Sequence, residues 1–106
     1  MFASKTATLK STLERVIEAY IGKGLNGYTY LISDPNRAIF TVISVGYVKD
    51  QRLVDANLIT RLVDDTIIIE RDMNNKPLVE ALLQTGIPRS QIILAYAGEP
   101  VPEAAL

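Results

Sequence analysis

Apolar residues recur at steps of three and four through Leu9, Leu13, Val16, Ile17 and Tyr20. That spacing puts them on one face of a helix, predicted over Thr6 to Ile21 with its start near Ser4 or Thr6. Gly22 and Gly24 are expected to end it. From Gly27 to Ser33 the period changes to two: Tyr28, Tyr30 and Ile32 point one way, Thr29 and Leu31 the other. Asp34-Pro35-Asn36-Arg37 is a turn, because proline presets φ and the Asp and Asn side chains can bond the reversing backbone.

Ala38 to Val48 is rich in β-branched residues and apolar on both faces, so it reads as a central, covered strand. Gly46 inside it predicts a bulge or a close backbone approach. Lys49-Asp50-Gln51 turns the chain into a third strand, Arg52 to Val63, with an irregularity expected near Asp55–Asn57. Asp64-Asp65 turns it again into Thr66 to Asp72. Pro77 is expected at the first helical position of a second helix, whose inner face carries Leu78, Leu82, Val79 and Leu83. Gly86 and Pro88 close that helix. Gln91 to Tyr96 is a last strand, and residues 97–106 read as a flexible tail.

The order is α-β-β-β-β-α-β. It predicts one α+β domain over residues 1–106, an antiparallel sheet of about five strands with two helices on one face. A sheet with two apolar faces exceeds what two helices can cover, so a homo-oligomer, most simply a dimer, is expected.

Composition narrows the chemistry. The chain has neither cysteine nor histidine. Disulfides, thiolate or histidine-based catalysis and soft-metal sites therefore lack their residues, and no catalytic, metal or cofactor site is expected. Carboxylates remain, but Asp34 suits a turn. Asp65 and Asp72 lie at opposite ends of one strand, over ~20 Å apart at about 3.3 Å per residue. Asp34 or Asp55 as an acid/base in a small-ligand domain is thus the weakest reading. Eleven basic against twelve acidic residues give a net charge of −1, which argues against autonomous tight DNA binding. Gly22, Gly24 and Gly27 lead into a strand, so they form no phosphate loop. The start Met1-Phe2-Ala3-Ser4-Lys5 leads into no signal-type apolar stretch, and no window approaches the roughly 18 apolar residues of a membrane span. The reading is cytoplasmic, with no membrane partner.

An ordered set of features resembles the cyanobacterial XisI family, the fdxN element excision controlling factors. Asp34 precedes the strand Ile39-Phe40-Thr41-Val42-Ile43-Ser44-Val45, which runs into Gly46-Tyr47, and Arg52 follows. Then come the hairpin Leu62 to Glu70 and the ending Leu82-Leu83-Gln84-Thr85-Gly86-Ile87-Pro88-Arg89 with Gln91-Ile92-Ile93-Leu94. Tyr47 and Ile68 stand where the family has tryptophan, and Tyr96-Ala97 where it has an aromatic-histidine ending, which marks a divergent member. The resemblance implies a non-enzymatic regulator of site-specific DNA excision that works with a companion excision factor or a recombinase. Tyr47, Lys49, Arg52 and Tyr96 are the expected partner or interface residues. A direct nucleic-acid-binding module is the alternative, since strand tyrosines and nearby cations can stack and hold a single strand.

Overall fold

The structure, a computed structural model, describes residues 5–102. Helix α1 (Lys5–Glu18) is followed by strands β1 (Gly22–Lys23), β2 (Gly27–Asp34), β3 (Ile39–Val48), β4 (Gln51–Val63) and β5 (Thr66–Asp72), then helix α2 (Leu78–Gln84) and strand β6 (Ile92–Leu94). The strands lie side by side in chain order, β1 to β6. All neighbours are antiparallel except β5 and β6. That exception corrects the all-antiparallel expectation. Helix α2 carries the chain back across the sheet, so the strand after it runs parallel to the strand before it.

Each face of the sheet follows from register. Phe40, Val42, Leu58, Ile67 and Ile69 turn to one side and join Leu9, Leu13, Ile17, Leu78 and Leu82 in a single core. Both helices lie on that side. The other face of β3, which carries Ile39, Thr41, Ile43, Val45 and Tyr47, has no described helix over it. The covered central strand expected from sequence is therefore central but covered on one side only.

Two bulges set the twist. Val42 pairs with Leu58 and Ile43 with Ala56, so Asn57 is the extra residue, within the span where an irregularity was expected. Ile59 pairs with Arg71 and Thr60 with Ile69, so Glu70 is a second. Gly46 carries no bulge, but the close approach is real and belongs to Gly27: a Cβ there would stand 2.0 Å from the Val45 carbonyl oxygen.

The helix ends differ from expectation. Helix α1 stops at Glu18, and its last carbonyls are met by the Ala19, Tyr20 and Ile21 N–H groups before either glycine is reached. Gly22 instead opens β1, a strand too short to show alternation. Pro77 sits one position outside α2 with an extended backbone. Its helix start is held by Asp72, whose Oδ2 accepts from the Leu78 N–H at 2.6 Å while Oδ1 accepts from Asn74. Leu83 is exposed on α2's outer side, against the expectation that it packs inward. The last strand is shorter than expected, with 3-10 turns at Arg89–Gln91 and Ala95–Ala97 on either side of it. Ser4, a candidate start of α1, lies outside the described residues.

The β3–β4 turn carries a testable strain. Lys49 and Asp50 have φ of 50° and 66°, the paired left-handed geometry that favours Asn-Gly. Lys49→Asn with Asp50→Gly is expected to raise stability by about 1 kcal/mol, read as a higher denaturant midpoint. A lower midpoint would mean that the lysine stem is packed in place.

Candidate surface on the open sheet face

Residues paired in an antiparallel ladder share a face. Tyr28 pairs with Val45, Tyr30 with Ile43 and Ile32 with Thr41. Across β3, Val45 pairs with Val54 and Tyr47 with Arg52. These residues therefore form one surface on the side without helices. Tyr28, Tyr30, Ile32, Tyr47 and Val54 are all exposed, and only Val45 at their centre is buried. The Tyr28 and Tyr30 rings lie 6.2 Å apart and tilted at 31°, a geometry in which they support one another without closing over the patch.

Arg52 stands at one end of this surface. Its guanidinium lies beside the phenols of Tyr28 and Tyr47, which, in that order, raise its pKa above the ordinary value, with desolvation opposing. Among the described residues Arg52 makes no ion pair. Its guanidinium is solvent-facing and can meet an outside acceptor. Toward β5 the same face changes character. Ile68 is fully buried there. Arg61, its partner in register, pairs with Glu70 at 2.9 Å.

Of the four expected interface residues, the fold brings Tyr47 and Arg52 face to face. Lys49 lies in the turn beside them, at the tip of the β3–β4 hairpin. Tyr96 does not join them. It follows β6 at the far edge of the sheet, where burial first and then Asp72 raise its phenol pKa. It sits near Arg89 and Glu99, which form a separate ion pair. Sequence reasoning named Tyr28 and Tyr30 as strand aromatics but did not place Tyr28 against Arg52. Alternation gave its face, and only the β2–β3–β4 register gives its neighbour. Val54 was missed, since nothing in sequence says that β5 stops short of it.

A shallow groove between the helices is lined by Arg15, Val16, Ala19, Tyr20, Lys76 and Gln84. Tyr20 donates to the Lys76 carbonyl at 2.9 Å and Lys76 to Gln84 at 3.0 Å, so these three side chains are already partnered. Asp34 bonds Arg37 and Asp55 bonds Arg71 and its own neighbour's N–H; neither faces the groove. Among the described residues no group of three or more acidic side chains converges as a metal site. No described helix is long and apolar enough to cross a membrane.

A family model described as XisI protein matches residues 3–103. Among solved structures, the fdxN element excision controlling factor XisI of Anabaena variabilis superposes with a TM-score of 0.69 at 23% identity, over 95% of this chain and 98% of that one. A XisI-like protein of the same organism gives a TM-score of 0.68 at 18% identity, over 94% and 91%. No curated protein sequence matches.

Proposed function

The chain belongs to the XisI family, and we propose that it is a non-enzymatic accessory protein, resembling the excision controlling factors, that binds a protein partner through the open face of its sheet. The observation that carries this reading is the patch of Tyr28, Tyr30, Tyr47 and Val54 with Arg52 at its end. Large apolar groups there remain in water, and an exposed arginine with no ion pair among the described residues stands beside them. Exposed tyrosine and arginine beside apolar groups are the residues that dominate protein interfaces. A single-domain monomer seldom leaves such a patch open without a use for it. The family resemblance suggests the class of partner, a companion excision factor or a site-specific recombinase.

Val54 tests this directly. It is about half exposed and its side chain has only Val45 opposite it on the face, so Val54→Glu costs the fold little while placing a charge in the patch. Co-purification with the companion factor or the recombinase is expected to weaken at least about tenfold, a loss of roughly 1.4 kcal/mol, with an unchanged circular dichroism spectrum. Undiminished capture by the variant would overturn the reading. So would a salt-sensitive gel shift of single-stranded oligonucleotide that disappears in Arg52→Gln, because it would assign the same surface to nucleic acid.

A further inference from the structure

Every open sheet leaves unpaired edges, and folded proteins deal with them individually. In this sheet the edges are treated unequally. On the outer side of β6, Arg89 donates to the Ile92 carbonyl at 2.7 Å and Glu99 accepts from the Leu94 N–H at 2.8 Å. The two plugging side chains are themselves an ion pair. The backbone N–H of Leu94, followed by Arg89, holds the Glu99 carboxyl pKa below its ordinary value. Where β5 leaves β4, Arg71 donates to the Ala56 carbonyl at 2.7 Å and to Asp55 at 3.2 Å, and the Ala56 N–H is taken by Asp55.

Among the described residues the outer edge of β2 has no such plug. Strand β1 covers it only as far as Thr29. The Gly27 carbonyl accepts from Gly24 on that outer side, so by alternation the odd-numbered residues of β2 turn their backbone groups away from β3. Leu31 and Ser33 therefore present N–H and C=O groups outward, and no strand of the described residues reaches them. Between Tyr30 and Asp34 there is no proline, no lysine and no bulge, the usual devices that keep another strand away. Ile32, at the centre, is exposed.

We propose that this edge pairs with the same edge of a second copy of the chain, antiparallel about a two-fold axis passing through Ile32. The segment is complementary to itself in that register. Leu31 of one copy exchanges both backbone hydrogen bonds with Ser33 of the other. Ile32 meets Ile32, apolar against apolar. Tyr30 falls opposite Asp34 on the same face, so a phenol donor meets a carboxylate acceptor, and no like charges are opposed. The two-fold axis stands perpendicular to the sheet, which joins the two sheets into one and leaves both open faces on the same side. The Arg52 patches then form a pair, and a partner with two equivalent sites gains avidity from it. The stretch of β4 at Arg52–Val54 is the competing free edge. A strand laid there runs into Arg71 across Asp55, and it stops at the Lys49-Asp50 turn.

The chain has no cysteine, so single substitutions read out the register cleanly. Ile32 and its symmetry mate form a non-hydrogen-bonded pair with Cα atoms about 4.5 Å apart, within disulfide range. Ile32→Cys in the full chain is expected to cross-link into a dimer under mild oxidation, while Val54→Cys stays uncross-linked. Unmodified protein is expected to scatter at twice the 11.7 kDa chain mass. Ile32→Lys sets two ammonium groups against each other on the axis, and Ser33→Pro removes an outward N–H that the β2–β3 ladder does not use. Both are expected to give the chain mass with an unchanged circular dichroism spectrum. A monomeric unmodified protein at high concentration, cross-linking through Val54→Cys instead, or folded Ile32→Lys that remains a dimer would each overturn the proposal. None of these readouts depends on capture of an excision factor, so failure here leaves the proposed function untouched.

Discussion

Gly27→Ala is expected to be among the most damaging single-atom-group changes in the chain, costing about 3 kcal/mol or more, the size of severe overpacking. The reason is the spacing of β2 and β3 at their shared end. A methyl on Gly27 would lie 2.0 Å from the Val45 carbonyl oxygen, 2.9 Å from the Gly46 Cα and 3.0 Å from the Val45 carbonyl carbon. All three are backbone atoms, so no rotamer change relieves the contact. The strands must separate, and separation breaks the Tyr47 N–H to Asn26 carbonyl bond of 2.9 Å. It also shifts Tyr28 relative to Arg52. The same change at Gly46 meets only the Asn26 carbonyl at 3.7 Å, ordinary contact distance, and is expected to cost well under half as much. Urea melts of the two alanine variants measure the difference. Equal midpoints would show that the strand ends are not held together as closely as this.

The contrast between these glycines also marks how far sequence reasoning reaches. Periodicity identifies both helices and the four long strands, because amphipathic residues advertise the face they bury. The Asp34-Pro35-Asn36-Arg37 turn is legible because its chemistry is local: Asp34 accepts from the Arg37 N–H three residues on. A glycine in the apolar strand signals that backbone comes close, but not which of two paired glycines carries the contact. That depends on register, which is set between strands. The parallel β6 was missed for a related reason. Its three residues look the same in either direction, and direction follows from the path of α2. The candidate surface was half legible. Tyr47 and Arg52 lie on opposite sides of a turn, and a two-residue hairpin pairs such neighbours automatically. Tyr28 and Val54 required knowledge of where β1 and β5 end. Tyr96 lies apart from the others, because aromatic character alone fixes no position in the sheet.

Which face of the sheet the helices cover decides which residues a partner can reach, and Phe40→Ala tests it. Phe40 is fully buried, in the core cluster with Leu13, Ile17, Leu78 and Leu82. Its carbonyl accepts from the buried Thr60 hydroxyl at 2.9 Å, so neither residue has room to relax far when the ring is removed. The expected loss is about 3–5 kcal/mol, transfer of the ring plus the cavity left behind. Against a total of about 5–15 kcal/mol for a domain, that leaves the variant marginal at 37 °C. Ile39, the next residue, faces the other way and is partly exposed. Ile39→Ala is expected to cost about 1 kcal/mol or less in the same denaturant series, since much of its side chain is already in water. A large penalty at Phe40 with a small one at Ile39 is what a sheet covered on one side requires. Comparable penalties at both would mean that a second layer covers the open face in solution. Dilution then separates the two ways that could arise: a layer supplied by another copy makes the Ile39 penalty fall with protein concentration, and a layer within the chain leaves it constant.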